Sequence, residues 1–244
     1  MNRNIIITGA TRGLGLSLTK SFLASSDKVI GISKTEKYVA LAKKELFNYP
    51  KRLNFLHADL TDECAVNGLI KKIHSLMKNC DVLINNAGEG GTLNPVHNLS
   101  LQEYDSLMAA NLTSAFLMSK ALIPQFLLQK HGLIINISSM AGKRAVPNLF
   151  AYSAAKFGMM ALSQCIAKEN DNTGLKCVTV CPGGMNTKMR EDLFGAKDAN
   201  KQQTPDFVAE LIANIVDGKT AIESGGDIIV RHGRVFEASA SPTP

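Results

Sequence analysis

The sequence contains no tryptophan, and aromatic residues make up only 6% of its 244 residues. The formal charge is +6, but lysines and arginines are spread along the chain without a basic run or interleaved aromatics. A nucleic-acid surface needs that combination, so nucleic acid is excluded as an expected partner; an anionic cofactor accounts for part of the excess charge. The five cysteines (Cys64, Cys80, Cys165, Cys177, Cys181) form no C-x-x-C pair. With no secretory signal pattern, reduced thiols and a cytoplasmic location are expected. The five histidines are scattered, which gives no metal site. No apolar run of bilayer length is read, so no membrane association is expected. There is no internal repeat and no low-complexity linker.

What is present is a globular composition, 45% hydrophobic and 20% charged. The length suits one α/β domain over residues 1–237, with 238–244 as a flexible tail of small and polar residues. Cys177 and Cys181 share one face of an expected strand and read as core.

The residues that carry chemistry sit between 134 and 156. A β-branched strand ends in Ser138-Ser139, a loop with Gly142 and Pro147 follows, and a small-residue helix opens with Tyr152 and Lys156. Tyr and Lys four apart share a helix face. An ammonium near a phenol favours the phenolate and lowers a pKa that starts near ~10, so Tyr152 can pass a proton near neutral pH. Ser139 can hydrogen-bond the same reacting oxygen.

At the N-terminus, a short strand over 4–7 runs into Thr8-Gly9-Ala10-Thr11-Arg12-Gly13-Leu14-Gly15 and then a helix over 16–24. Strand, glycine turn and helix form the context of a dinucleotide site. Gly9 permits the turn, Gly13 lets backbone approach a pyrophosphate, and Gly15 lets the helix pack on the sheet. The helix N-terminus then faces phosphate with free N–H groups.

In these motifs the chain resembles the short-chain dehydrogenase/reductase superfamily, in its single-domain branch. The family's T-G-x-x-x-G-x-G matches Thr8 to Gly15, its N-N-A-G matches Asn85-Asn86-Ala87-Gly88, and its helical Asn matches Asn111. Its serine matches Ser139, its Y-x-x-x-K matches Tyr152 and Lys156, and its P-G matches Pro182-Gly183, with Thr187 following. The resemblance implies a doubly wound Rossmann fold, seven parallel strands in the order 3-2-1-4-5-6-7 with helices on both faces. It implies hydride transfer between a nicotinamide cofactor and a carbonyl carbon. Tyr152 is then the proton donor, Ser139 orients the oxygen, and Lys156 holds the nicotinamide ribose and depresses the tyrosine pKa. Asn111 keeps a relay water near Lys156.

The resemblance also implies the cofactor-binding set. Gly9, Thr11, Arg12, Gly13, Leu14 and Gly15 take the phosphates; Asp59 and Leu60 take the adenine; Asn86, Ala87 and Gly88 form the turn above it. Tyr152, Lys156, Pro182, Gly183 and Thr187 complete the set. The second strand, 28–33, ends in Ser33 where NAD-binding members usually carry an acid, and Lys34 follows. With Arg12 in the glycine turn, two cations flank a serine, which favours a 2′-phosphate and therefore NADP(H). The substrate pocket is expected at Ser139, Met140, Val146, Gly184, Met185 and Met189.

Helices over 100–130, kinked at Pro124, and 152–168 carry apolar residues on more than one face. Each therefore needs a second partner; in the family these helices build a dimer interface, so a homodimer or homotetramer is expected. Residues 185–204 read as a substrate lid containing a short amphipathic helix with its apolar face at Met185, Met189 and Leu193. A helix over 205–217 and a strand over 227–230 follow. The latter ends in Arg231-His232-Gly233-Arg234, where the family has V-D-G-G. The loop Glu89-Gly90-Gly91 yields no function from sequence. Relatives of this shape reduce 3-oxoacyl groups on acyl carrier protein, an acidic partner. Lys130 is expected at the cleft mouth and suits it; Glu169 and Asp171 have the opposite sign. Reduction of another small ketone, sugar or alcohol remains an alternative, as does a non-catalytic NADP sensor, which would tend to lose Tyr152 or Lys156.

Overall fold

The computed structural model describes residues 2–239. Eight strands form one sheet in the order β3-β2-β1-β4-β5-β6-β7-β8. They are β1 (Asn4–Thr8), β2 (Lys28–Ser33), β3 (Leu53–His57), β4 (Val82–Asn85), β5 (Gly132–Ile137), β6 (Leu175–Pro182), β7 (Asp227–Arg231) and β8 (Arg234–Ser239). The first seven are parallel. The central strands are buried on both faces, which is why β1 reads Ile-Ile-Ile without alternation. Ile5 and Ile7 pack with α1 (Gly13–Ala24) and α9 (Pro205–Val216), while Ile6 packs on the other side with α3 (Glu63–Leu76) and α5 (Ser114–Gln129). Successive residues of a strand feed opposite layers.

The eighth strand departs from the seven-stranded expectation. β8 pairs antiparallel with β7 across His232 (φ +52°) and Gly233 (φ +67°). Two central residues with positive φ make a two-residue turn whose twist matches the strands it joins. Arg231, the last residue of β7, lies over the Phe236 ring at 5.1 Å. The expected flexible tail therefore begins too early: Ala238 and Ser239 belong to β8, and 240–244 lie outside the described residues.

The stretch expected as one helix over 100–130 is α4 (Leu101–Met108), a π turn (Ala109–Thr113) and α5. The irregularity falls at the π turn; Pro124 sits inside an unbroken α5. At 29 residues, Leu101–Gln129 is long and apolar enough by composition to cross a bilayer, against the expectation of no such run. In this fold its Met118, Leu122 and Phe126 are fully buried in the protein core. Lys130 ends α5 in the left-handed region (φ +55°), just before β5 begins. Ser139 lies beyond the other end of β5. Six residues of strand, about 20 Å at ~3.3 Å each, separate Lys130 from the site, so it cannot flank the cleft mouth. Glu169 and Asp171 sit at that same far edge, between α6 (Phe150–Glu169) and the start of β6.

Candidate active site

The carboxyl ends of the parallel strands open into one cleft with a cavity of about 280 Å³. Its floor is the turn after β1. Gly9 has φ +64° and Gly13 φ +50°, conformations that suit glycine. A side chain at Gly9 would put its Cβ 3.0 Å from the Ala87 Cα. The turn after β4 is thus packed directly on the glycine turn. Thr8 and Asn86 lock the two together. The Thr8 hydroxyl accepts from the N–H groups of Asn86 and Ala87, both at 2.9 Å, and the Asn86 amide donates to the Thr8 carbonyl at 2.9 Å.

The helix α1 begins at Gly13, three residues earlier than expected. Its N-cap, Arg12, is extended and offers no side-chain cap. The first N–H groups of α1 are therefore left to a ligand at the floor of the cleft, as an anion site requires. Thr11 and Ser33 share a hydroxyl hydrogen bond of 3.0 Å. The Arg12 guanidinium lies 5.1 Å from the Tyr38 ring centre, on α2 (Glu36–Glu45). Lys34 pairs with Asp59 at 2.9 Å. Asp59 also accepts from the Thr61 hydroxyl and N–H. These partners outweigh the opposing effect of burial and hold its carboxyl at about 2. Left-handed glycines and an uncapped helix start fit a dinucleotide.

At the other end, Ser139, Tyr152 and Lys156 line the same cleft. Ser139 caps a short 3-10 turn, accepting from the Ala141 N–H at 3.1 Å. Lys156 is only 4% exposed, and its Nζ donates to the Ile137 carbonyl at 3.0 Å. Burial holds its pKa down to about 8. The Nζ lies 5.6 Å from the centre of the Tyr152 ring. The expectation that Lys156 depresses the tyrosine pKa is corrected here. Burial raises the Tyr152 phenol, and the lowering contribution comes from the Ser139 hydroxyl.

Asn111, fully buried, sits in the π turn, which re-aims the helix so that its amide meets the loop after Gly88. Its Nδ2 donates to the Glu89 and Leu107 carbonyls at 2.9 and 3.0 Å, and its Oδ1 accepts from the Glu89 N–H at 3.2 Å. A Cβ on Gly88 would come within 2.5 Å of that Oδ1. These bonds commit the Asn111 amide to holding the turn.

The segment expected as a lid is two helices, α7 (Lys188–Phe194) and α8 (Ala196–Ala199), broken at Gly195 (φ +82°). Met185 precedes them in an isolated bridge with Gln203, so the apolar face expected at 185, 189 and 193 is helical only at Met189 and Leu193. Those two side chains pack over Gly90, so α7 sits on the 89–91 loop.

Every residue expected to hold the cofactor lines the cleft, as do Ser139, Met185 and Met189. Met140, Val146 and Gly184 do not. Met140 starts the 3-10 turn after Ser139, Val146 belongs to the loop that follows, and Gly184 is packed against Gln202. Thr35, Tyr38, Thr61, Ser114, Ser138 and Lys188 also line it and escaped the sequence. Only Thr35 and Tyr38 carried a signal, lying just past Lys34. Among the described residues no cluster of His, Cys, Asp and Glu could hold a metal.

Comparison with known proteins adds a family. The sequence profile of the short chain dehydrogenase family matches residues 3–198. The chain is 34% identical over 197 residues to the 2-(R)-hydroxypropyl-CoM dehydrogenase of Xanthobacter autotrophicus, covering 78% of each chain. It is 28% identical over 228 residues to the NADPH-dependent pterin aldehyde reductase of Arabidopsis thaliana, covering 93% of each. It superposes with a TM-score of 0.87 on the crystal structure of a 3-ketoacyl-(acyl-carrier-protein) reductase from Brucella melitensis complexed with NADH. That match spans 95% of this chain and 98% of the other at 24% identity, a likeness of fold.

Proposed function

The chain belongs to the short-chain dehydrogenase family, and from that premise we propose that it is an NADPH-dependent reductase of a ketone or aldehyde. The observation that carries this is the shared cleft. Ser139, Tyr152 and Lys156 line one end, and at the other Ser33 stands between Arg12 and Lys34 with no acid at the strand end. The nicotinamide, when bound, supplies the hydride. The protein supplies position and a proton. Tyr152, kept protonated by burial, gives its proton to the oxygen of the reacting carbonyl. Ser139 donates a hydrogen bond to that oxygen and fixes its direction. Lys156, held by the Ile137 carbonyl beneath the ring, presents a positive charge to the growing alkoxide. Arg12 and Lys34 bind the 2′-phosphate, and the uncapped start of α1 binds the pyrophosphate.

Met185 and Met189 line the cleft, and Leu193 packs with Met189 on Gly90. This suits a carbonyl with an apolar arm. A 3-oxoacyl thioester fits that description, delivered on acyl carrier protein; another small ketone is the alternative. The chain is proposed to work in the cytoplasm as a homodimer or homotetramer. The test is NADPH oxidation by purified protein against a ketone panel that includes 3-oxoacyl thioesters. Tyr152→Phe should lower turnover by about 10²–10⁴-fold with NADPH affinity retained. An equally active Phe variant would remove Tyr152 from the mechanism.

A further inference from the structure

Tyr152 stands in the first turn of α6, three residues after its N-cap, Leu149. That helix start is poorly defended by its own sequence, because Leu149 provides no side-chain cap. First turns without caps fray. Here the start is held from outside. Leu149 forms a parallel bridge with Asn94, whose N–H donates to the Asn148 carbonyl at 3.0 Å. Asn148 is itself in the left-handed region, φ +64°, so the chain arrives at α6 through a backbone conformation that a contact must maintain.

Asn94 lies on a loop with no regular structure of its own, and one side chain from another element fixes it. Glu103, on α4, accepts from the Thr92 N–H at 3.0 Å, from the Thr92 hydroxyl at 2.5 Å and from the Asn94 amide at 3.3 Å. Thr92 in turn accepts from the Asn94 amide at 2.7 Å. The sequence Ser100-Leu101-Gln102-Glu103 has the pattern of a capping box, in which the glutamate would fold back on its own helix. Only half of the box forms: Ser100 accepts from the Glu103 N–H, and the carboxylate reaches outward instead. The next residue, Tyr104, stacks on Phe150 in the first turn of α6, ring centres 6.0 Å apart at 14°.

We propose that Glu103 is a positioning residue for Tyr152, acting through the Thr92–Asn94 loop and the Asn94–Leu149 bridge to fix the start of the helix that carries the phenol. Glu103 does not line the cleft, and its carboxylate accepts from Thr92 and Asn94. The inference rests on the reading of Tyr152 as proton donor, but its physical core, the fixed helix start, does not depend on turnover.

The test compares Glu103→Ala and Glu103→Gln with the parent. Gln keeps an acceptor for Thr92; Ala keeps none, while Ser100 still caps α4 in both. Hydrogen exchange is followed by mass spectrometry. In Glu103→Ala, amides of 92–95 and 148–153 should exchange about tenfold faster or more, the scale of a lost charge-assisted hydrogen bond. Amides of 133–137 should be unchanged. Glu103→Gln should stay within about twofold of the parent. With an acetoacetyl thioester as probe, Glu103→Ala should lose kcat with NADPH affinity retained, and Gln should restore it. Parental exchange at 148–153 in Glu103→Ala would overturn the proposal. So would a general loss of protection that includes 133–137, which would mark Glu103 as a plain stability contact. If Tyr152→Phe stays active while the exchange result holds, the catalytic reading falls and the helix-start role stands.

Discussion

Replacing the two cations at the expected 2′-phosphate site tests the cofactor assignment, and the structure predicts that they are not equivalent. Among the described residues Arg12 has no ion-pair partner; its guanidinium rests on Tyr38. A charge-assisted hydrogen bond to phosphate contributes about 1.5–3 kcal/mol, so Arg12→Ala should weaken NADPH by about 13- to 160-fold. Lys34 is paired with Asp59, their side chains 63% and 38% exposed. An exposed pair is worth about 0.2–1 kcal/mol, which Lys34 must give up to reach a phosphate. Its net contribution falls to about 0.5–2.8 kcal/mol, or about 2- to 110-fold. Asp59→Asn should do the reverse and free Lys34. Because an adenine contact through Asp59 is common to both cofactors, it cancels in the ratio of the two affinities. Preference for NADPH over NADH should therefore rise by about 1.4- to 5-fold in Asp59→Asn. The assay is a fluorescence titration of purified protein with NADPH and NADH at one fixed ionic strength. An unchanged preference in Arg12→Ala, or a parent protein that binds NADH as tightly as NADPH, would refute the reasoning.

Three further outcomes follow from the geometry. Lys156 is held down to about 8 by burial, so its charge is complete below that pH and lost above it; kcat/KM for reduction should be level at neutral pH and fall through pH 8, and a level profile to about pH 9.5 would show that the charge is not needed. Phe116 on α5 and Phe157 on α6 are 45% and 46% exposed, so light scattering should find at least a dimer that Phe116→Asp with Phe157→Asp dissociates; a monomeric parent at micromolar concentration would dispose of this. The lid is tied at its base, where the Gln203 side chain donates to the Val230 carbonyl and accepts from the Gly233 N–H, and internally by Arg190, which pairs with Asp198 and lies 3.9 Å from the centre of Phe194. It should therefore move as one body, with exchange across 185–203 slowed together by NADPH; equal protection with and without cofactor would make it a fixed wall.

The architecture was legible because its signals are local. Unalternating Ile and Val runs mark strands covered on both faces, and glycines at fixed offsets mark the turn under the cofactor. The eighth strand was not, because its hairpin uses His232 where Asn or Asp would have announced positive φ. The split of 100–130 was missed for a related reason: a π turn has no composition of its own, whereas proline does, so the eye falls on Pro124. Lys130 was misplaced because sequence does not say which end of a strand a residue sits on until the strand directions are known. Asn85 shows the limit from the other side. It heads a motif that faces the cleft, yet its amide is buried beneath it, donating to Ser119 and Asn136. Motif membership alone does not separate a cofactor contact from a brace.

The electrostatics of Tyr152 and Lys156 show why site chemistry was read less well than site membership. Helical spacing places the two side chains on one face, and Coulomb attraction then argues for a lowered phenol pKa. That argument omits desolvation, which spacing cannot reveal. Burial acts against the charged form of each group, so it raises the phenol and lowers the ammonium. The two shifts move the pair toward a neutral phenol beside a lysine near its own titration point. A protonated Tyr152 is the form that donates to a carbonyl oxygen, whereas alcohol oxidation needs the phenolate that burial disfavours. The protein alone therefore sets the tyrosine as an acid. Lowering beyond what the Ser139 hydroxyl contributes has to come from charge brought into the cleft.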